Sequence, residues 1–585
     1  MSSSNPAQNS PARMCWLGNG RHALAIDASG SGFSRSRDLA ITRWREDATT
    51  NHWGSYVLLR DRETGAVWSA TRQPCLSDSG NFNATLSESR AEFVRIGNGL
   101  KTTMTVAVCA DADAEMRRIT IVNQGERELD LDITSYAELV LGSAAADASH
   151  PAFSKIFMQT EWDASQQILL ATRRQRTRSE ASIWAAHFVT LDAGDSSTGD
   201  DGSIEYESDR AKFLGRGRTL RDALSMQSGA SLSNTVGYVL DPIFSLRQRV
   251  RIAAGASATI AFWTVAAESR AAALDTCRAL RDESATERAL VGADKRATAD
   301  ANRLAIATEQ VACFQQLIAP LLVADTRWRT SAEVITRAKG GAPLLWASSI
   351  SGDRPIVLES IANLTDFANI EEILAAQRYW QAQRLGVDVV LLNCAESDAA
   401  EELQSRLDAA IEAQRICLQA DKNATKAEVF ALRSSTLSDE VRDGLRAAAR
   451  IALDARTSIE ASLKDRDALA SSEEITAPGE IRTARSHNNV QAVASDDVVV
   501  DESLQFVNGY GGFHERNREY SITLTDGECT PLPWINVVAN AEFGFFMSAE
   551  GGGNTWSQNS QQNPLTPWPN DPVSDTPHDV LYLRD

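Results

Sequence analysis

The chain contains no run of about 18 consecutive apolar residues, so no segment reads as a membrane span. Its opening, Met1-Ser2-Ser3-Ser4-Asn5-Pro6, lacks the charged and apolar regions of a secretion signal and reads as a disordered lead-in over 1–14. The eight cysteines (Cys15, Cys75, Cys109, Cys277, Cys313, Cys394, Cys417, Cys529) form no C-x-x-C pair and no metal-ligand spacing, and the seven histidines are equally scattered. This pattern supplies no metal site and favours the reduced thiols of a cytoplasm over a disulfide framework. An excess of positive charge is missing too. With 78 acidic against 58 basic residues the net charge is −20, which argues against nucleic acid or an anionic membrane as partner and against direct membrane insertion. What remains is an ordinary soluble composition: 43% hydrophobic, 23% charged and mean hydropathy −0.26 over 585 residues. That length accommodates roughly three or four domains.

The chain begins one pattern twice. Ile41-Thr42-Arg43-Trp44-Arg45-Glu46-Asp47 near the start parallels Leu565-Thr566-Pro567-Trp568-Pro569-Asn570-Asp571 near the end. Trp568 follows Trp44 by 524 residues, and Arg584-Asp585 follows Arg60-Asp61 by the same 524. Upstream, Asn19-Gly20 through Gly32 matches Asn540-Ala541 through Gly553 at an offset of 521, so three residues are inserted between the two landmarks. Such a period is far too long for a solenoid and marks a duplicated domain.

From Cys15 to about Thr264, runs such as Leu100 to Val108, Met116 to Val122 and Phe244 to Ile252 alternate with period two between turn signals. Many half-buried strands at this cadence predict a large antiparallel sandwich over 15–268. Ala271 through Ala324 is helical in period, with Pro320 the internal breaker, and predicts a pair of packed helices in a helical linker over 269–335. Residues 340–460 alternate strand and helix. Strands are predicted at Pro355-Leu358, Val387-Asn393 and Val429-Leu432, and helices at Ile370-Leu385 with Gly386 as stop, Ala399-Arg415 and Ser438-Ala455. A polar flexible linker follows over 465–503, and strand-like sequence resumes over 504–585 as the start of a second, truncated sandwich.

Six of the thirteen tryptophans (Trp44, Trp53, Trp68, Trp534, Trp556, Trp568) stand in the matching stretches, interleaved with Arg45, Asp47, Asn51, Asn536, Asn559, Asn563, Asn570 and Asp571. Indole faces stack on sugar rings while Asn, Asp and Arg supply directional hydrogen bonds to hydroxyls. The candidate carbohydrate-binding residues are therefore Trp44, Arg45, Asp47, Trp53, Trp534, Asn536, Trp556, Asn559, Trp568, Asn570 and Asp571. The alternative is that the aromatics are sandwich core and the polar residues fill turns. The loop Gly551-Gly552-Gly553-Asn554 before Trp556 favours a site lining there. Gly215-Arg216-Gly217-Arg218 does not complete a nucleotide fingerprint. Asp111-Ala112-Asp113 and Asp130-Leu131-Asp132 read as solvated charges rather than metal-binding D-x-D pairs. His22 and His52 have no neighbouring nucleophile, no carboxylate pair stands out as acid and base, and no catalytic or metal-binding residue is assigned.

These stretches resemble a known family. Asn508-Gly509-Tyr510-Gly511-Gly512-Phe513, Arg518-Glu519-Tyr520, Thr530-Pro531-Leu532-Pro533-Trp534-Ile535-Asn536 and Thr555-Trp556-Ser557-Gln558-Asn559-Ser560 are similar to the opening of the supersandwich domain of glycoside hydrolase family 94, formerly glycosyltransferase family 36. The duplication resembles, more narrowly, the C-terminal half of the cyclic β-1,2-glucan synthases. Thr42 to Asp47, Ser135-Tyr136-Ala137-Glu138, His150-Pro151-Ala152-Phe153-Ser154-Lys155, Phe213 to Gly217 and Leu240-Asp241-Pro242-Ile243-Phe244 carry that likeness in the first copy, and Leu345-Trp346 with Ile350 to Ile356 in the α/β segment. Two departures stand out: Ser349 replaces the family's usual glycine, and Arg516-Asn517 its usual Asp-Gly turn.

The resemblance implies a mainly β, multidomain fold: a galactose-mutarotase-like supersandwich, a helical linker, a small α/β unit and a truncated second supersandwich. It implies β-1,2-glucan or a related β-glucan as partner. No cofactor is expected, inorganic phosphate being the co-substrate of complete family 94 enzymes. Those enzymes keep their general acid and phosphate-binding residues in a barrel following the supersandwich, so no catalytic residue is carried over. The expected function is a carbohydrate-binding fragment of a synthase-like protein. Alternatives are a stand-alone binding protein and an inactive split-gene product whose partner is the rest of a synthase.

Overall fold

The computed structural model describes the chain outside residues 1–12, 48, 77–79, 178–179, 193–196, 199–202, 397, 420–424, 426, 473–503, 515–517, 526–527, 578, 582 and 584–585. Most of the expected lead-in and flexible linker, and the Arg516-Asn517 turn, lie outside the described residues. Two compact units are present, one made of residues 1–210 and 226–470, the other of 211–225 and 471–585.

The first unit begins with β1 (Met14–Gly18), β2 (His22–Asp27), β3 (Gly32–Ser36), β4 (Leu39–Thr42), β5 (Tyr56–Asp61), β6 (Val67–Ser69), β7 (Asn81–Leu86), β8 (Arg90–Gly97), β9 (Leu100–Val108), β10 (Ala114–Asn123) and β11 (Leu129–Gly142). Two short helices, α1 (Ala144–Ser149) and α2 (Pro151–Lys155), precede β12 (Met158–Asp163), β13 (Ile168–Arg173), β14 (Trp184–Asp192), β15 (Ser197–Thr198), β16 (Glu205–Asp209), the turn α3 (Arg210–Leu214), β17 (Pro242–Ile252) and β18 (Ser257–Ala267). They form two antiparallel sheets. One runs β1-β2-β3-β4-β11-β17-β15, with β16 beside β17 and β5 linking β11 to β6; the other runs β12-β13-β14-β18-β10-β9-β8-β7. This is the predicted two-layered sandwich.

Alternation along the strands decides which side chains enter the layer between the sheets. Leu24, Ile41, Leu59, Leu131 and Leu246 from one sheet meet Phe93, Met104, Ile119, Leu169 and Phe262 from the other. The outward side chains of β1 and β2 are buried as well. Met14, Trp16, Ala23 and Ala25 pack in a second core with Phe314, Ile318 and Trp380, while Cys15 and Leu17 face the first.

The expected helix pair is four helices: α4 (Arg270–Ala279), α5 (Ala285–Arg303), α6 (Thr308–Gln316) and α7 (Ile318–Leu322). Local turn chemistry breaks the helical period. Asp282 accepts the Ser284 N–H at 2.8 Å, and Ala305 adopts a left-handed φ of 53°. Helices α4 and α5 cover the outer face of the eight-stranded sheet, where Met116, Phe188 and Trp263 meet Leu274 and Leu290.

After α8 (Ala332–Arg337) and α9 (Pro343–Trp346) comes a parallel α/β layer. It comprises β19 (Ile356–Ile361), α10 (Phe367–Ala382), β20 (Asp388–Asn393), α11 (Asp398–Gln419), β21 (Val429–Arg433), α12 (Asp439–Ala448), β22 (Ile451–Asp454) and α13 (Ile459–Ser472), with sheet order β21-β20-β19-β22. The helix expected to run to Ala455 ends at Ala448, and Ile451–Asp454 is a fourth strand pairing Val357 with Ile451. An Ala-rich segment has helical propensity, and a four-residue parallel edge overrides it. The left-handed stop after α10 is Arg384 at φ 65°, two residues before the expected Gly386. Ser349, standing where the family has glycine, is also left-handed at φ 63°. All eight cysteines are free thiols. Among the described residues no helix is long and apolar enough to cross a membrane.

The second unit holds two three-stranded sheets, β23 (Leu504–Gln505), β24 (Gly511–His514), β25 (Glu519–Ile522) and β26 (Ile535–Ala539), β27 (Phe543–Ser548), β28 (Gly553–Ser557). Strands β26 to β28 repeat β1 to β3 at the offset of 521, residue for residue. Met14 pairs with Asp27 as Ile535 pairs with Ser548, and His22 with Ser36 as Phe543 with Ser557. Their turns repeat as well. Asn19 Oδ1 accepts the N–H groups of Arg21 and His22, and Asn540 Oδ1 those of Glu542 and Phe543. The duplication read from sequence is a duplication of hydrogen bonds.

Candidate functional site

Four of the first-copy segments that resemble the family, those holding Arg43, Glu138, Lys155 and Asp241, converge on one buried ion cluster with Asp147 and Arg210. Arg43 leaves β4, Glu138 lies on β11, Asp147 on α1, Lys155 ends α2, Arg210 follows β16 and Asp241 precedes β17. Arg43 reaches Glu138 at 2.8 Å and Asp147 at 3.0 Å, with Asp241 at 3.7 Å. Arg210 bridges Glu138 and Asp241, both at 3.0 Å, and Lys155 Nζ stands 2.7 Å from Asp241. Three cations balance three anions in a site from which water is excluded, so each side chain is held by charge-assisted bonds that would be costly to break singly. Burial lowers the Arg43 pKa, but Glu138 and Asp147 outweigh it and the net shift is upward. Burial, then Glu138, pushes the Tyr136 phenol well above its ordinary value, and its hydroxyl donates to Glu138 at 2.9 Å. With every carboxylate engaged by a cation, the cluster is suited to fixing the surrounding chain rather than to moving protons.

What it fixes is the Trp44–Trp53 segment. Successive side chains of extended chain point to opposite sides. The Trp44 ring meets Phe33 at 5.3 Å, and Phe33 meets buried Trp16 at 6.0 Å, so Trp44 borders the core. Arg45 turns the other way, its guanidinium 5.8 Å from the Trp53 ring and 3.8 Å from Asp147. Trp53 is half-buried beside His52 at 4.8 Å. Asp47 folds onto its own loop, accepting the N–H groups of Thr49 and Thr50 at 2.9 and 3.0 Å. Burial raises its pKa, but the Thr50 and Thr49 bonds prevail and hold the carboxyl well below the usual range. Of the four first-copy candidates, the structure brings Arg45 and Trp53 together. It turns Trp44 inward and assigns Asp47 to a turn.

In the second unit Trp534 packs edge-on against Tyr510 and Tyr520, 5.7 and 6.0 Å away, and Asn536 is exposed on β26. Trp556 lies across its neighbouring strand, where a Cβ on Gly544 would fall 2.5 Å from the indole. Trp568 is 51% exposed and edge-on to Phe546 at 5.3 Å. Asn559 accepts the N–H groups of Gln561 and Gln562, Asp571 those of Val573 and Ser574, and Asn570 is left-handed at φ 47°. Asn559, Asn570 and Asp571 therefore have local roles in turns. The D-x-D reading also needs correction at one aspartate: Asp132, on the face of β11 opposite to Leu131 and Ile133, is buried rather than solvated and lies 2.6 Å from Arg60, the partner that a buried carboxylate requires. Asp130 pairs with Arg249 at 2.5 Å and Asp113 with Arg21 at 2.7 Å. Among the described residues no group of three or more His, Cys, Asp or Glu is placed to hold a metal ion.

Sequence reasoning missed a cavity of about 530 Å³ on the far side of α1 and α2, lined by Ala146, His150, Phe153, Ser154, Arg173 and Arg176. Its trace in the sequence is Arg173-Arg174-Gln175-Arg176, a cationic cluster in an acidic chain.

Comparison with known proteins identifies the family of the chain. The family described as "Glycosyl hydrolase 94, supersandwich domain" matches residues 2–283 and 518–585, more than half of the chain. The chain is 35% identical over 580 residues to cyclic beta-(1,2)-glucan synthase NdvB of Rhizobium meliloti (strain 1021), covering 97% of this chain and 20% of that protein. It is 27% identical over 153 residues to an N,N'-diacetylchitobiose phosphorylase of Vibrio furnissii, covering 25% and 19% respectively. The chain thus spans about a fifth of the length of each of these relatives. A solved bacterial glucoamylase complexed with acarbose aligns with 56% of this chain and 44% of its own at 8% identity, with a TM-score of 0.31, too low to carry an argument.

Proposed function

The chain belongs to the glycosyl hydrolase 94 supersandwich family and so to carbohydrate metabolism, and from that premise we propose that it holds β-1,2-glucan within a cyclic β-1,2-glucan synthase-like protein. The functional parts on this reading are the supersandwich over 15–268, the helical linker, the α/β unit over 340–460 and the second supersandwich begun at 504. The observation that carries the binding role is the Arg45–Trp53 pair. An indole under a guanidinium, fixed from beneath by the Arg43 cluster, offers a stacking face next to hydrogen-bond donors, which is the chemistry a glucose ring requires. Cleavage or formation of glycosidic bonds is assigned to other parts of such a synthase, because the carboxylates gathered at the cluster are engaged by cations.

Calorimetric titration with linear β-1,2-glucan tests the reading. Weak binding, sub-millimolar at best, is expected, with a loss of at least about tenfold for Trp53→Ala, the scale of one good stacking contact. Absence of heat with any β-glucan would remove the proposal. A companion assay supplies inorganic phosphate with the glucan; robust release of glucose 1-phosphate would overturn the assignment of chemistry elsewhere.

The second copy favours a polypeptide partner as well. Val538 and Met547, equivalents of the core residues Leu17 and Ile26, are 47% and 56% exposed, and Ile535 and Val537, equivalents of Met14 and Trp16, are 52% and 55% exposed. In the first copy a facing sheet and helices cover these positions, so we propose that corresponding synthase segments cover them in the second. Addition of such segments is expected to slow amide exchange in β26–β28, and unchanged exchange in a formed complex would exclude that role.

A further inference from the structure

We propose that the cavity beside α2 is a binding site for a phosphorylated sugar, separate from the Arg45–Trp53 face. Phe153, on α2, is 50% exposed, and Ile156 beside it 49%, although both stand in a sandwich whose other large apolar residues are mostly buried. The same segment turns Lys155 inward to Asp241, so its inward side serves the ion cluster while Phe153 and His150 face the cavity. Phe157 meets Phe153 edge-on at 5.0 Å, making an aromatic wall.

Three guanidinium groups gather around Phe157, and two of them, Arg173 and Arg176, line the cavity. Arg173, Arg174 and Arg176 stand 5.4, 5.5 and 5.6 Å from the Phe157 ring, and Arg176 is also 5.5 Å from Phe153. Among the described residues none of the three forms an ion pair with a carboxylate, in a chain whose net charge is −20. Glu180 and, less strongly, Asp147 attract Arg173 at longer range, but Glu180 also accepts the Arg176 backbone N–H at 2.6 Å and Asp147 is committed to Arg43, which leaves three guanidinium groups to one nearby acid. Arg173 is positioned by backbone rather than by an acid, donating to the Ser154 carbonyl at 2.7 Å. Converging like charges repel one another, and a ligand that supplies two negative charges relieves that repulsion.

The ligand class follows from the lining. Guanidinium forks bind phosphate oxygens bidentately, and a dianionic phosphate answers the charge surplus better than a single carboxylate. The ring of Phe153 presents an apolar face to a sugar ring, backed edge-on by Phe157, and His150 and Ser154 supply polar contacts to its hydroxyls. A volume of about 530 Å³ admits a monosaccharide phosphate and matches the usual range for small-ligand pockets.

The test titrates the full 585-residue chain with glucose 6-phosphate, glucose and inorganic phosphate at low ionic strength. Glucose 6-phosphate is expected to bind at least tenfold more tightly than either glucose or phosphate, and Arg176→Gln to weaken it at least tenfold. Arg176 is exposed and its side chain spans no core contact, so this variant keeps the fold; Phe153→Ala, also at an exposed position, is expected to reduce the preference over inorganic phosphate. Trp53→Ala is expected to leave glucose 6-phosphate binding unchanged, which separates this site from the glucan face. The proposal is overturned if glucose 6-phosphate binds no better than glucose, if inorganic phosphate binds equally well, or if Arg176→Gln has no effect.

Discussion

Replacing His187 by glutamine is expected to remove most of the acid sensitivity of the first sandwich between pH 7 and pH 4. His187 lies on β14 between the sheets, stacked on Phe244 at 5.5 Å and Phe262 at 6.0 Å. Its ring nitrogens meet Ser135 Oγ at 2.9 Å and Thr264 Oγ1 at 3.1 Å, one hydroxyl from each layer. Burial first, and Arg117 second, push the imidazole down from 6.5 to about 4. Between those two values the unfolded chain binds a proton that the folded chain refuses. The stabilisation is therefore complete above pH 6.5 and is lost as the pH falls toward 4. The loss amounts to about 2 kcal/mol by pH 5 and about 3 kcal/mol by pH 4. For a domain of this size, 2 kcal/mol corresponds to a fall of roughly 4–8 °C in the sandwich transition. Glutamine keeps a donor and an acceptor for the two hydroxyls and cannot titrate. Thermal melts of both proteins across this range isolate the term, since every other ionisable group is common to them. Equal pH slopes in wild type and H187Q, or a wild type that gains stability as the pH drops below 6.5, would refute the reasoning.

Arg43→Leu leaves Glu138 and Asp147 facing each other without their shared cation and is expected to cost about 3–5 kcal/mol by denaturant titration, whereas Arg43→Lys recovers only part because an ammonium cannot span both acids. Full recovery by lysine would show that the guanidinium fork is dispensable. Ser349→Gly is expected to stabilise the α/β layer by about 1 kcal/mol, since the left-handed backbone at φ 63° costs a residue with a Cβ and not glycine; an unchanged melting temperature would count against it. Gly32→Ala would set a Cβ 1.9 Å from the Ala25 carbonyl oxygen and is expected to cost at least about 2 kcal/mol, read as a lowered sandwich transition.

The sandwich was legible because stretches of its long strands are buried on one face and alternate, as in residues 100–104, and the second copy because Asn19, Gly32 and Trp44 recur with their spacing. Where a strand is buried on both faces the alternation vanishes. Met14–Gly18 was therefore readable only from Cys15 onward. Ile451–Asp454 does alternate, but four residues are too few to set a period, and it merged with the alanine-rich helix before it. The candidate site was legible in part. Arg45 and Trp53 do meet, yet Asp47, Asn559 and Asp571 accept backbone N–H groups two and three residues ahead, a local use of Asn and Asp that composition cannot separate from ligand binding. The Phe153 cavity needed tertiary structure, because its two walls come from α2 and the end of β13.

One pair of contacts bears on how the two copies have stayed distinct. In the first, Asn51 donates through Nδ2 to the carboxylate of Asp27; at the corresponding places in the second, Ser548 Oγ donates to Asp575 at 2.7 Å. The acid has changed sides, from strand to loop, while both loop residues keep a positive φ, 45° and 42°. Genetic exchange that joined the strand of one copy to the loop of the other would in one orientation seat Asp27 against an aspartate, two carboxylates where the native pair has an amide donor and a carboxylate. Recombination between the repeats therefore carries a folding penalty in that direction, a physical barrier to homogenising the two hairpins.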